Sequence, residues 1–381
     1  MITCIEDLKS AYQRSVPKMF YDYTESGSWS EYTFLENERA LQRLQFKQRV
    51  LVDLRNRDIS GTLLGQRVKM PVALAPVGLT GYQRADGEIK AAKAAVEFGV
   101  PYTLSTMSIC SIEDVANAVQ APFWFQLYVM RDRDFVKRLI LRAKAAECSA
   151  LVLTVDLQIL GQRHKDIKNG LSTPPKPTFG NLINMASKPK WALGMLTTSR
   201  RKFGNIAGHV AGIKDSSSLS HWTQQQFDPG LNWDDVAWIK DLWGGPLIIK
   251  GIMSEEDAIL AETHGADAIV VSNHGGRQLD GAPASCEALP AIKSAVSDKT
   301  EIWMDGGIRS GQDVLKALAL GATGTLIGRA YIYGLGAQGQ RGVRQVLQII
   351  ENELDLTMAF CGRTSLATVG KDILWSQPKS I

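Results

Sequence analysis

Chemistry is written most plainly where an apolar run, Ala268–Val271, gives way to Ser272-Asn273-His274-Gly275-Gly276-Arg277. A short run of this kind reads as a strand covered on both faces. The two glycines allow a sharp turn that leaves His274 and Arg277 facing one space. An imidazole accepts a proton near neutral pH, and a guanidinium grips an oxyanion with a fork of donors, so the pattern is a base beside an anion clamp. Taken alone, the stretch also reads as a surface histidine near a loop arginine, and the elements that carry it decide between the two.

Similar runs recur at Val72–Ala75, Tyr102–Ser105, Phe123–Tyr128, Leu151–Val155, Leu247–Lys250, Ala268–Ser272, Ile302–Asp305 and Gly324–Gly328. Helical patterns lie between them at Gly87–Phe98, Glu113–Val119, Asp134–Glu147, Glu255–Thr263 and Gln312–Leu320. Three of these follow a capping serine with an acid three residues on, at Ser111/Asp114, Ser254/Asp257 and Ser310/Asp313. Strands alternating with helices predict a parallel sheet. Each strand ends on something polar or conformationally special: Pro76, Ser105, Gln126 with Tyr128, Thr154 with Asp156, Lys250, His274, Asp305 and Gly328. A closed barrel brings all eight such ends to one mouth, whereas an open sheet gathers only those at its switch point. The expected fold is therefore α/β, a (β/α)8 TIM barrel over about residues 70–340. A helical lead-in from Met1 to about Met70 would cover it, and a helical tail would run from Gln340 to Ile381.

The chain has 381 residues, 45% hydrophobic and 22% charged, enough core for a single domain over 1–381. Its five cysteines are scattered without a C-x-x-C pair, which fits a reduced compartment, and five histidines offer no metal cluster, so no metal is expected. The start, Met1-Ile2-Thr3-Cys4-Ile5-Glu6-Asp7, lacks a leader pattern, and no apolar run approaches the roughly 18 residues of a membrane span. Net charge is +4, but Ile167 to Lys214 holds eight Lys or Arg and no Asp or Glu, which leaves −4 for the rest. This insertion, about residues 165–222 between the fourth and fifth strands, mixes its cations with Leu182, Ile183, Trp191, Leu193, Leu196 and Phe203. Cations among Trp and Leu suit an anionic membrane surface. An ordinary active-site lid is the alternative, and no base-reading or RNA-binding module supports a nucleic-acid partner.

The phosphate end of a cofactor falls on Asp305-Gly306-Gly307-Ile308-Arg309 after strand seven and on Gly328-Arg329 after strand eight, where barrels often bind phosphate. No G-x-G-x-x-G opens a βαβ unit, and Gly61–Gly65 lacks the Lys-Ser/Thr of a Walker loop, so the cofactor should be a mononucleotide.

The run Ser272–Asp280 resembles the signature of the FMN-dependent 2-hydroxy-acid dehydrogenases and oxidases. Supporting runs are Pro17–Tyr23, Met70–Pro76, Trp124–Tyr128, Leu153–Asp156, Lys250-Gly251, Asp305–Gly307 and Ile327–Arg329. Within that family the chain is most similar to the bacterial membrane-associated L-lactate dehydrogenases, through Ser28–Thr33, Pro71–Thr80, and Asn205-Ile206 followed by Asn232-Trp233. The resemblance implies FMN across the barrel mouth, against Pro76, Val77 and Gly78, with Ser105, Gln126, Thr154 and Ser272 around the ring. Lys250 would stand beside the ring's electron-rich edge, and Asp305, Gly306, Gly307, Ile308, Arg309, Gly328 and Arg329 would hold the phosphate.

Arg163 and Arg277 would hold the substrate carboxylate, Tyr23 and Tyr128 would hydrogen-bond the acid, His274 would be the base, and Asp156 would orient it. The same resemblance implies oxidation of L-lactate to pyruvate, a membrane quinone as acceptor, and a homotetramer at the cytoplasmic face of the bacterial inner membrane. Met107 stands where glycolate-oxidising relatives carry tryptophan, which favours lactate. Gly78 stands where several oxidases carry alanine, which favours quinone over oxygen. A soluble oxidase producing hydrogen peroxide, a dehydrogenase for another acid such as mandelate, and a flavin-binding sensor without turnover are the rival readings.

Overall fold

The computed structural model describes residues 1–171, 178–209 and 226–375. Strands β1 (Gly61–Leu63) and β2 (Gln66–Val68) form an antiparallel hairpin. After it come β3 (Val72–Leu74), β4 (Thr103–Ser105), β5 (Trp124–Leu127), β6 (Ala150–Thr154), β7 (Leu247–Ile252), β8 (Ala268–Val271), β9 (Glu301–Met304) and β10 (Gly324–Ile327). These eight pair in parallel in the order β3-β10-β9-β8-β7-β6-β5-β4. A parallel bridge between Leu74 and Tyr102 joins the two ends, with the Leu74 N–H donating to the Pro101 carbonyl at 2.9 Å. The expected (β/α)8 barrel forms. Helices Gly87–Phe98 and Glu255–Thr263 have the expected bounds, and the strands differ from expectation by one or two residues at their ends. All three predicted serine caps accept from the backbone three residues on.

Side chains alternate across each strand, and the barrel sorts them into two cores. Leu151 and Leu153 of β6 point outward into the large cluster beneath the helices, while Ala150 and Val152 point inward. The inward set is small apart from Trp124 and Trp303, whose rings stack with centroids 5.1 Å apart. Leu63 and Val68 of the hairpin plug the floor. Continuing the inward parity toward the other end of each strand gives Ser105, Gln126, Thr154, Lys250, Ser272 and Asp305. The polar strand ends are thus the top layer of the barrel's own interior.

The lead-in departs from expectation. Three helices, Ile5–Ser15, Lys18–Thr24 and Tyr32–Arg43, precede the hairpin, so residues 1–70 are not helical throughout. Nor are they only a cover, since Tyr23 and Thr24 at the end of the second helix line the mouth. The tail begins with a helix, Gln340–Phe360, as expected. In the insertion, helices His164–Lys168, Phe179–Ala186 and Pro189–Thr197 are described. Lys176 and Lys214 of its basic set lie outside the described residues.

Candidate functional site

The mouth holds a cavity of about 270 Å³ lined by residues from most strand ends, from the lead-in and from the insertion. His274 opens into it from the loop after β8, with its backbone in the left-handed region at φ 58°. Such a conformation is uncommon for a residue with a Cβ and is held here by the signature loop: the His274 N–H donates to Ser272 Oγ at 3.1 Å. One ring nitrogen, Nδ1, lies 2.8 Å from Asp156 Oδ1. Burial opposes ionisation of Asp156, but the His274 charge, its hydrogen bond and Lys250 outweigh that and hold the carboxyl below its usual range. Space for Asp156 comes from Gly251, at φ 111°, where an added Cβ would fall 2.7 Å from the Asp156 carboxyl carbon.

Lys250 is buried on the inward face of β7, with its ammonium 3.0 Å from Asp305 and donating to Ser272 Oγ at 2.9 Å. Burial works to strip its proton, and Asp305 and then Asp156 more than compensate, so its pKa is raised. The cation is therefore fixed in place beneath the mouth. Ser105 Oγ donates to Gln126 Oε1 at 3.0 Å, and among the described residues Gln126 Nε2 has no partner. Thr154 Oγ1 and Asp305 Oδ1 are buried and unpartnered as well. Asp156 Oδ2 is a fourth among the described residues. Orphaned buried polar atoms are costly and rare, and four at one barrel end mark a place for a polar guest.

Arginines crowd the rim. Arg277 lies over the Tyr23 ring at 4.7 Å and donates to the carbonyls of Tyr23 and Ser26 at 2.6 and 3.1 Å. Burial first, and then the neighbouring Arg163 charge, push its pKa down. Arg163 donates through Nε to Asp166 Oδ2 at 2.6 Å, which leaves the terminal nitrogens of its fork without that carboxylate. Two like charges beside one cavity call for an anion. Arg329 braces the far side, donating to the carbonyls of Thr24, Ser26 and Gly275. Burial, then Arg277 and Arg309, lower its pKa to about 10. Arg309 pairs with Glu38 at 2.8 Å. Beside it Gly306 and Gly307 take φ of 95° and 82°, and a Cβ on Gly307 would fall 2.3 Å from the Asn37 carbonyl.

Most residues singled out from the sequence line this cavity: Tyr23, Pro76, Val77, Gly78, Ser105, Tyr128, Arg163, Lys250, His274, Arg277, Asp305 through Arg309, Gly328 and Arg329. Gln126, Asp156 and Ser272 sit one hydrogen bond behind lining residues, and Thr154 pairs with Lys250 across β6 and β7. Burial raises the Tyr128 phenol, with Asp156 adding to the effect, so it stays protonated at neutral pH.

Sequence reading missed Asn37 and Ser26. Asn37 and Asn273 exchange amide hydrogen bonds at 2.9 Å and moor the signature loop to a lead-in helix. It also missed the apolar outer wall of Leu157, Leu160, Leu171, Phe203 and Phe227. Among the described residues no cluster of His, Cys, Asp and Glu could hold a metal.

Residues 12–376 match the family described as FMN-dependent dehydrogenase. The chain is 44% identical to the L-lactate dehydrogenase of Ectopseudomonas mendocina (strain ymp), over 98% of this chain and 99% of that protein. It is 45% identical to the L-lactate dehydrogenase of Caulobacter vibrioides (strain NA1000 / CB15N), over 98% of each. Among solved structures, the monotopic membrane protein (S)-mandelate dehydrogenase superposes with a TM-score of 0.94 at 34% identity, covering 99% of this chain and 100% of that one. Mandelate oxidase with (S)-2-phenylpropionate superposes at 0.83 with 35% identity over the whole of both chains.

Proposed function

Because this chain belongs to the FMN-dependent dehydrogenase family, we propose that it oxidises L-lactate to pyruvate and passes the electrons to a membrane quinone. The observation that carries the reading is the convergence of the His274–Asp156 pair with two neighbouring guanidinium groups at one mouth. A 2-hydroxy acid offers a carboxylate for the arginines and a proton for the histidine.

The residues present fit FMN. Gln126 Nε2, Thr154 Oγ1 and Asp305 Oδ1 are free to meet the polar edge of a flavin ring. Ser105 lines the same cavity, with Ser272 behind lining residues, and Pro76, Val77 and Gly78 form one wall. Lys250 supplies a fixed positive charge there. Gly306 and Gly307 turn to expose N–H groups beside Ile308 and Arg309, and Gly328 and Arg329 complete a cradle for phosphate. When bound, FMN would take up the two electrons removed from the alcohol carbon together with one of the two protons lost, the other going to His274.

Arg277 and Arg163 hold the carboxylate, which relieves the repulsion between them, while Tyr23 and the protonated Tyr128 donate to the acid's oxygens. His274 takes the substrate proton on Nε2, because Nδ1 is committed to Asp156. Asp156 fixes the ring and stabilises the imidazolium that results. The apolar wall around Met107, Leu160 and Phe203 packs on the substrate side chain and keeps water from the proton transfer.

Peripheral attachment to a membrane belongs to the same proposal. Helices Phe179–Ala186 and Pro189–Thr197 turn Phe179, Leu182, Ile183, Leu193 and Leu196 to solvent. Not all of the basic set is available: Arg200 pairs with Asp86 and Asp114, and Lys188 reaches the Arg14 carbonyl. The apolar faces therefore support the reading more than the charge does. No described helix is long and apolar enough to cross a membrane. A homotetramer on the cytoplasmic face of the inner membrane is the assembly proposed.

Flavin absorbance under anaerobic L-lactate tests the reading, followed by separate additions of air and a soluble ubiquinone analogue. Bleaching by L- but not D-lactate, with fast recovery in quinone and slow recovery in air, is the expected result. Rapid recovery in air would make the protein an oxidase. The apolar outer wall favours mandelate as the second substrate to try, and bleaching by mandelate alone would reassign the substrate.

A further inference from the structure

Two loops meet at the substrate-side wall of the cavity, the one after β3 carrying Gly78 and the one after β4 carrying Met107. They run close together. The Leu79 N–H donates to the Met107 carbonyl at 3.0 Å. A Cβ on Gly78 would lie 3.2 Å from Met107 Cβ and 3.3 Å from the Tyr23 hydroxyl, and one on Gly81 would fall 2.6 Å from Ile109 Cβ.

A third element fastens the pair. Glu88, in the first turn of helix Gly87–Phe98, is fully buried. One carboxylate oxygen accepts both the Gly81 N–H and the Ile109 N–H at 2.9 Å, one donor from each loop, and the other faces the Cys110 N–H at 3.4 Å. Burial pushes this carboxyl up, against the pull of the Ile109 donor and its other backbone donors. Burying a carboxylate costs far more than burying an apolar side chain of similar size. No role assigned above uses this group.

We propose that Glu88 is a positioning residue that clasps the Gly78 and Met107 loops and thereby sets the width of the pocket receiving the substrate's side chain. The inference rests on the hydroxy-acid reading of the mouth. Glu88 touches neither substrate nor cofactor, and acts through the separation of two loops that do line the site. Its loss should alter discrimination by size, whereas a purely structural role would weaken all ligands alike.

The test uses holoenzyme and two acids that cannot be oxidised, propionate and 2-phenylpropionate, with each Kd read from the perturbation of flavin absorbance. Glu88→Gln keeps a carbonyl for the two strong donors, and its ratio of the two Kd values should stay within about threefold of wild type, less than one net hydrogen bond. Glu88→Ala removes every acceptor and should move the ratio toward the larger acid by about tenfold or more, the scale of one lost buried interaction. Gly81→Ala keeps the Glu88 side chain but sets a Cβ 2.6 Å from Ile109 Cβ and 2.9 Å from Glu88 Oε2, which strains the same clasp and wedges the loops apart, and should shift the ratio the same way even where Glu88→Ala fails to fold. Equal weakening of both acids, or a wild-type ratio in whichever of Glu88→Ala and Gly81→Ala folds, would overturn the clasp. Wild-type protein that binds neither acid would overturn the hydroxy-acid reading and the clasp with it.

Discussion

The floor and the mouth of the barrel are built by the same eight strands, yet only one of them is complete. At the floor, Trp124 and Trp303 stack, the hairpin contributes Leu63 and Val68, and the inward positions between are mostly alanine, valine, isoleucine and leucine, with Thr103 on β4. Two residues further along the same faces, the inward positions become Gln126, Thr154, Lys250, Ser272 and Asp305. Among the described residues several polar atoms there have no partner, and the like charges of Arg163 and Arg277 oppose each other. A floor closed mainly by apolar packing supplies stability, and a mouth that gathers unpartnered polar atoms and crowded charges is a binding site. The difference implies that substitutions at the two ends separate stability from chemistry.

Trp303→Ala should produce the largest effect on stability, about 3–5 kcal/mol, the usual cost of truncating a fully buried tryptophan. Urea denaturation measures it. The folded fraction should still be bleached by substrate, since Trp303 lies beneath the site and not in it. A fall in stability under about 1 kcal/mol would show that the floor is not the apolar plug described.

His274→Gln is the converse. Loss of a general base costs on the order of 10²-fold in the rate of flavin reduction, or about 2.7 kcal/mol of activation free energy. The midpoint of unfolding should fall less than for Trp303→Ala, because the side chain is partly open to the cavity, and what is lost comes from the pair with Asp156. Reduction at the wild-type rate would remove His274 from the mechanism, and an equal loss of stability would erase the division between the two ends.

Much of this division was readable in advance, because strand parity and the residues at strand ends are local. The eight strands, the capping serines and the Ser272–Asp280 run all depend on neighbours within a few positions. The hairpin escaped notice because its turn is Leu64-Gly65, with φ of 47° and 73°. A left-handed leucine does not announce a turn as Asn-Gly does. Asn37, Ser26 and Glu88 escaped for another reason: they are ordinary polar residues whose work is set by partners outside any local pattern, 7 to 22 positions away for Glu88 and 236 for Asn37 with Asn273. Their roles appear only once the barrel has closed.

Asp156 sharpens the comparison through pH. Its carboxyl is held below the usual range in the folded protein, mainly by His274 acting against burial. A group depressed in this way contributes stability that is present above its unfolded pKa, near 4, and is lost as pH falls through the folded value. Thermal melts from pH 7 down to pH 3 should therefore show a smaller acid-induced loss for Asp156→Asn than for wild type. Parallel curves would mean that the pair with His274 adds nothing to stability. Because Asn cannot stabilise an imidazolium, the variant should also lose flavin-reduction rate at pH 7, where its stability has changed least with pH.

The smallest effect on fold and chemistry belongs to the outer face of the insertion. Phe179 and Leu196 are 78% and 72% exposed, so Phe179→Ser and Leu196→Ser remove no packing from either core. Surface changes of this kind usually alter stability by less than about 0.5 kcal/mol, and the rate of flavin reduction should match wild type. Binding to vesicles rich in anionic lipid should nonetheless fall, since each side chain would otherwise carry about 1.5–3 kcal/mol of apolar burial into the interface. Co-sedimentation at increasing salt separates the contributions. Residual binding that disappears with salt would come from the cations, and binding that survives both the substitutions and the salt would place the contact elsewhere on the molecule. Unchanged sedimentation of the double variant at low salt would remove the two helices from the membrane proposal while leaving the chemistry of the mouth intact.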